Sequence, residues 1–160
     1  MVQQVPKEAK IIIEFGAGTG PITEALSQSF PNAQIYSFEL DREMAAKVQK
    51  KCPNVHVYAC DVTEAENILP KESLGQVSVI LSSLPFLNIP KNIDRQILET
   101  AFRILKPQAP FIQFTYLPFL PPLRTYQELG LWAQYVGSEM KNLPPAYVWA
   151  FRKDLRSEER

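Results

Sequence analysis

Apolar residues along the chain recur with two spacings, and the switches between them mark out the elements. Lys10-Ile11-Ile12-Ile13-Glu14-Phe15 is a continuous β-branched run ending at glycine, the pattern of a strand buried on both faces. Four more runs read as strands: Gln34 to Glu39, Val55 to Ala59, Gln76 to Ser82 and Phe111 to Thr115. Helical spacing fills the gaps. Pro21 to Gln28 suits a helix, with Pro21 in the first turn where its missing N–H costs nothing. Asp41 can cap a helix running to about Lys51, with Met44, Ala45 and Val48 on its apolar stripe. Ile93 to Leu105 carries Ile97, Leu98, Ala101 and Leu105 on one stripe and is closed by Lys106-Pro107. A short helix over Arg124 to Gly130 precedes two last strands, Leu131 to Glu139 and Ala146 to Phe151, and a charged tail from Arg152. Strand–helix alternation predicts a three-layer α/β fold around a mostly parallel seven-stranded sheet, with ligands at the carboxyl ends of the strands.

The chain has 160 residues, enough for one domain with a real core, expected over 1–152 with a tail at 153–160. Hydrophobic residues at 46% and charged residues at 21% argue against disorder. Lys+Arg and Asp+Glu number 17 each, so the net charge is zero, and a broad nucleic-acid-binding face is not expected. Cys52 and Cys60 form no metal spacing and are too few for a disulfide scaffold, which makes a reducing cytoplasm the default. Met1 to Lys10 lacks the apolar segment of a signal peptide. The longest uncharged stretch, Pro107 to Leu123, holds five prolines and falls short of the ~20 apolar residues of a membrane span.

Chemistry concentrates at the strand ends. Glu14-Phe15-Gly16-Ala17-Gly18-Thr19-Gly20 lies between a strand and a helix, where glycine lets the backbone approach a ligand and the helix start offers free N–H groups. A tight strand–helix turn also needs glycine, so the loop alone does not decide. Its spacing differs from the dinucleotide fingerprint, and the acid Glu14 in front of it would repel a pyrophosphate. A cationic ligand without phosphate, S-adenosylmethionine, suits it better. Glu39 ends the second strand, where a carboxylate can accept from both ribose hydroxyls, with Leu40 beside it. Asp61, followed by Val62, ends the third strand and can accept from an adenine amino group or cap the next helix. Ser82-Ser83-Leu84-Pro85-Phe86 ends the fourth strand, beside the expected position of a reacting methyl.

These features resemble the class I methyltransferases over essentially the whole chain, and more closely the bacterial phospholipid N-methyltransferases of the PmtA type. Three stretches carry the closer resemblance: Ser83 to Pro90, Phe111 to Tyr116, and Lys141-Asn142-Leu143-Pro144-Pro145-Ala146-Tyr147-Val148-Trp149. The resemblance implies a Rossmann-like sheet with an antiparallel last strand. It implies S-adenosylmethionine as cofactor, S-adenosylhomocysteine as product and no metal. The implied reaction is stepwise methylation of phosphatidylethanolamine towards phosphatidylcholine. Glu14, Gly16, Ala17, Gly18, Thr19, Gly20, Glu39, Leu40, Asp61, Val62, Ser82 and Leu84 are the expected cofactor residues. The expected partner is phospholipid at a membrane surface, not nucleic acid. The chain is expected to be a monomer or weak homo-oligomer, cytoplasmic or peripheral at the inner face of the bacterial membrane. Family members carry some tens of residues, including an amphipathic helix, before the first strand. Here that strand begins near residue 10, and the chain is expected to be the core without this arm.

Methyl transfer needs a neutral nitrogen lone pair held in line with the sulfonium. The lone histidine, His56, falls on the third strand away from the expected methyl and reads as structural. Tyr116 is therefore expected to contact the amine by hydrogen bond or cation–π contact, with Ser83 and the Leu84 carbonyl orienting it. Pro85, Phe86 and Asn142 complete the expected substrate site. Phe86, Leu87 and Ile89, with the apolar loop Leu117 to Leu123, are expected to form a lipid-facing rim. Lys47, Lys50 and Lys51 read as a solvated face. Adenine methyltransferases of RNA or DNA are the nearest rival. They place Asn-Pro-Pro-Tyr or Asn-Leu-Pro-Tyr at the fourth strand end, where this chain has Ser83 and Phe86. A non-catalytic cofactor-binding domain is the rival outside enzymes.

Overall fold

The computed structural model of the chain describes residues 1–116, 123–139 and 145–154. Seven strands form one sheet: β1 (Ile11–Phe15), β2 (Gln34–Phe38), β3 (His56–Tyr58), β4 (Val79–Ser82), β5 (Phe111–Thr115), β6 (Leu131–Glu139) and β7 (Ala146–Lys153). Their order across the sheet is β3-β2-β1-β4-β5-β7-β6. The pairs β1–β2, β2–β3, β1–β4 and β4–β5 are parallel, and β7 runs antiparallel to both neighbours. The expected fold is the observed one.

The β-branched run of β1 becomes the central strand because it can bury side chains on both faces. Ile13 and Phe15 enter one core layer with Ile80, Phe111 and Phe151, while Ile12 enters the other with Leu26, Val79 and Ile112. This is the period-2 alternation of a strand. The helices are α1 (Pro21–Ser29), α2 (Arg42–Lys51), the single-turn α3 (Ala65–Ile68), α4 (Lys91–Ile104) and α5 (Leu123–Glu128). The α4 stripe of Ile97, Leu98, Ala101 and Ile104 is buried on the first layer, and Leu26 of α1 on the second. Asp41 caps α2 as expected, its side chain accepting from Met44 N at 2.9 Å.

Boundaries differ from the sequence expectation: β3 and β4 are shorter, the latter starting at Val79 rather than Gln76, α1 ends at Ser29 and α5 at Glu128, and further differences fall at α4 and β7. Helix α4 starts at Lys91, two residues early, because its first turn is polar and follows Pro90, so the apolar period begins only inside it. Its last stripe residue, Leu105, is the extended residue after the helix. Strand β7 continues to Lys153: Leu131 pairs with Lys153, and Asp154 N donates to Gly130 O at 2.9 Å. Backbone ladders do not require apolar side chains, and Arg152 sets its guanidinium over the Trp132 ring at 5.5 Å.

The chain runs outward from β1 to β2 and β3, then crosses back to β4 on the other side of β1. Strand order reverses there, so the loops after β1 and β4 diverge and leave a crevice at the carboxyl ends.

Candidate active site

A cleft of about 990 Å³ occupies this crevice. One wall is the loop Gly16–Thr19, its floor includes Glu39, Asp61 and Val62, and the far wall is made by residues 83–89 and 113–116 with Ile93 and Ile97.

The glycine loop is held by its neighbours. Gly16 N and Ala17 N both donate to Phe38 O, at 2.9 and 3.3 Å. Gly18 N donates to Glu39 Oε2 at 2.7 Å, and the other carboxylate oxygen accepts from Asp41 N at 3.0 Å. Glu39 therefore fixes the loop and the start of α2 together, and the same residue lines the cleft with each oxygen keeping a further lone pair. Gly16 sits at φ +81°, and a Cβ there would lie 3.2 Å from Leu84 Cδ2. Glycine is thus required both by backbone angle and by the close approach of the two walls. Asp61 Oδ1 caps the turn Val62–Glu64, accepting from Thr63 N and Oγ1 at 2.9 and 2.8 Å, and the same residue lines the cleft. The capping reading of Asp61 is the one observed, and its place on the cleft leaves the residue within reach of a ligand.

On the far wall, Ser83 N donates to Phe15 O at 3.0 Å, fixing the chain as it leaves β4. The Ser83 hydroxyl makes no hydrogen bond among the described residues. Pro85, at φ −82° and ψ 71°, centres an inverse γ-turn in which Phe86 N donates to Leu84 O at 3.0 Å. Gln113 of β5 donates through Nε2 to the same Leu84 carbonyl at 2.9 Å and to Phe114 O at 2.6 Å. Tyr116 lies just past β5, 54% exposed, with Phe114 edge-on at 4.9 Å between centroids.

The chain matches a family model described as a methyltransferase domain over residues 12–108. It is 30% identical over 156 residues to an ornithine lipid N-methyltransferase from Singulisphaera acidiphila, spanning 94% of this chain and 80% of that protein. This chain belongs to the class I S-adenosylmethionine-dependent methyltransferases. A second relative is the ribosomal RNA small subunit methyltransferase A of Thermotoga maritima, 28% identical over 96 residues, 58% of this chain and 31% of that protein. In fold, the chain is similar to the magnesium protoporphyrin IX methyltransferase from Synechocystis PCC 6803 solved with bound SAM. The TM-score is 0.68 at 11% identity, covering 95% of this chain and 73% of that one.

The cleft of this methyltransferase fits S-adenosylmethionine by its donor set. Among the described lining residues there is no Lys, Arg or His, and the two charged ones are the carboxylates Glu39 and Asp61. Such a surface disfavours a pyrophosphate and favours a cation. When bound, the cofactor supplies a methyl group made electrophilic by its sulfonium. Gly16, Ala17, Gly18, Thr19, Glu39, Leu40, Asp61, Val62, Ser83, Leu84, Pro85, Phe86 and Tyr116 all line the cleft.

Several expected residues stand elsewhere. Glu14 does not line the cleft: it is buried behind the loop, where Oε2 accepts from Thr23 Oγ1 at 2.5 Å and Ser37 Oγ at 2.7 Å. It joins β1 to α1 and β2. Burial pushes its carboxyl above the usual carboxylate range, against the pull of those two hydrogen bonds. Gly20, the α1 cap at φ +93°, and Ser82, fully buried with its hydroxyl 3.3 Å from Leu84 N, shape the two loops without lining the cleft. Phe86 is no rim residue. The short turn Phe86–Asn88 folds its ring into the core, edge-on to Phe111, and leaves Leu87 60% exposed. The Leu84 carbonyl already accepts two hydrogen bonds, so both of its lone pairs are taken and it does not orient an amine. Asn142 and the 117–122 part of the apolar loop lie outside the described residues. His56 is exposed, stacked on Tyr36 at 5.2 Å, and away from the cleft as expected.

Gln113 and Cys60 line the cleft without having been singled out as site residues. A glutamine inside an apolar strand run was the available signal for the first.

Proposed function

We propose that the chain is an N-methyltransferase for the amine of a membrane lipid, in the phosphatidylethanolamine series or on an ornithine-type headgroup. The observation that carries this reading is the relative named for ornithine lipid, aligned over almost the whole chain. The far wall agrees with it. Leu84, Pro85, Leu87, Ile89, Ile93 and Ile97 offer an apolar run along this side of the cleft, and Leu87 and Tyr116 are exposed to solvent. A lipid surface can meet such a rim. No helix among the described residues is long and apolar enough to cross a membrane. An RNA acceptor is disfavoured by the zero net charge and by a cleft without basic side chains among those described.

In this reading the amine presents its lone pair to the methyl carbon, the carbon–sulfur bond breaks, and the electron pair stays on sulfur. The new ammonium then loses a proton to water or to a base. Tyr116, solvent-facing and without a hydrogen-bond partner among the described residues, is the group that contacts the nitrogen. The test is transfer of labelled methyl from S-adenosylmethionine to vesicles of phosphatidylethanolamine, of ornithine lipid, or of phosphatidylglycerol alone. Label in the lipid fraction with either amine lipid and none with phosphatidylglycerol is the expected result. Label in neither amine lipid, or in RNA instead, would overturn the reading.

A further inference from the structure

In the loop after β4 the Leu84 carbonyl is taken by the protein's own donors. Leu84 O is saturated by Phe86 N at 3.0 Å and Gln113 Nε2 at 2.9 Å. The side chain that saturates it brings an acceptor of its own. Gln113 is 1% exposed and lines the cleft, and both of its amide hydrogens face carbonyl oxygens, those of Leu84 and Phe114. A carbonyl cannot donate, so the amide nitrogen must lie on that side, which settles which end of the amide is oxygen. Gln113 Oε1 is buried with no hydrogen-bond partner among the described residues. The indole N–H of Trp149, its neighbour across the β5–β7 ladder, is likewise buried and makes no bond to it.

An unpaired buried carbonyl carries the full desolvation cost of its lost hydrogen bond, so a ligand that donates to it gains more than an exposed group would give. The lining of this wall is otherwise apolar apart from Ser83, Asn88, Thr115 and Tyr116. Resting on the amine-lipid reading above, we propose that the side-chain oxygen of Gln113 accepts an N–H of the acceptor amine, in place of the saturated Leu84 carbonyl. One such bond turns the nitrogen about the donor–acceptor axis and leaves its lone pair free. Gln113 then has two roles from one planar group: the nitrogen end locks the loop, and the oxygen end orients the substrate.

The proposal makes a prediction that a purely structural glutamine does not. A neutral primary or monomethylated amine has an N–H to give, and a neutral dimethylated amine has none. In Gln113→Met, which keeps side-chain length, kcat/KM should fall about tenfold more for phosphatidylethanolamine and its monomethyl form than for the dimethyl form, because loss of the loop lock is shared by all three. Gln113→Glu keeps an acceptor oxygen and should add a new limb to the pH profile with the first two substrates. A second readout needs no turnover. With S-adenosylhomocysteine present, binding of short-chain ethanolamine lipid relative to choline lipid should fall about tenfold in Gln113→Met, because a choline headgroup has no N–H in any state. Equal losses for all three amines, with an unchanged ethanolamine-to-choline preference, would overturn the proposal and leave Gln113 as a clamp. Absence of transfer by the unsubstituted chain to any amine lipid would instead overturn the lipid-amine reading, and this inference with it.

Discussion

At the glycine-loop end of the cleft the protein satisfies its own polar groups: Gly16 and Ala17 N–H on Phe38 O, Gly18 N–H on Glu39, and Thr63 N–H and O–H on Asp61. Among the described side chains there, Glu14 Oε1, beneath the loop, is the one atom buried and unpaired. Around β5, β7, α4 and α5 the pattern is reversed. Gln113 Oε1, Trp149 Nε1, Asp94 Oδ1 and the Tyr126 hydroxyl are all buried without a hydrogen-bond partner among the described residues, and of these Gln113 belongs to the cleft lining while the other three do not line it. A surface already fixed by its own hydrogen bonds can receive a cofactor without rearranging, whereas unpaired buried groups carry a standing cost that a ligand can relieve. The two ends therefore should respond differently to substitution: the first through cofactor affinity, the second through turnover, selectivity and pH.

The sharpest break should come at Gly16. Gly16→Val places a branched side chain at φ +81° and against Leu84 Cδ2. Calorimetry should show cofactor affinity reduced by about a hundredfold or more. Glu39→Ala removes the acceptor of both Gly18 N and Asp41 N. It should cost about tenfold in the same titration and loosen the loop, with amide exchange at Gly18 as the check.

Tyr116→Phe probes the other end. It should lower kcat about fivefold and leave cofactor affinity unchanged, since Tyr116 touches none of the glycine-loop groups in the hydrogen bonds described. Equal change in both quantities would erase the distinction between the two ends.

The smallest effect concerns stability. Burial raises the Asp94 carboxyl to about 6, above its unfolded value of about 3.9. The folded state thus holds this proton more tightly than the unfolded one. The stability it contributes is present in full below about pH 4 and is lost as pH rises through about 6. Asp94→Asn should raise the thermal midpoint at pH 8 by a few degrees and flatten its fall between those values. Thermal unfolding across that range checks it.

What was legible in the sequence follows the same divide. The first half was readable because local chemistry carries it: β-branched runs mark the strands, glycine spacing marks the loop, and Glu39 and Asp61 follow the ends of β2 and β3. The second half depends on which groups long-range packing brings together. No periodicity shows that the Leu84 carbonyl meets Gln113, 29 residues away, or that Phe86 turns inward while Leu87 turns out. Glu14 was placed correctly along the chain, but which side of the loop it occupies depends on Thr23 and Ser37. The polar first turn of α4 and the charged end of β7 were missed because side-chain polarity says little about a backbone ladder or a helix start.

The glycine-loop end, fixed by its own hydrogen bonds, should hold the cofactor without help from the lipid side. Calorimetric titration of the chain with S-adenosylhomocysteine, in the absence of any lipid, tests it most directly. Saturable one-to-one binding that survives Gln113→Met and Tyr116→Phe but is lost in Gly16→Val is the predicted result. Binding that appears only when amine lipid is added, or that Gln113→Met abolishes, would contradict it.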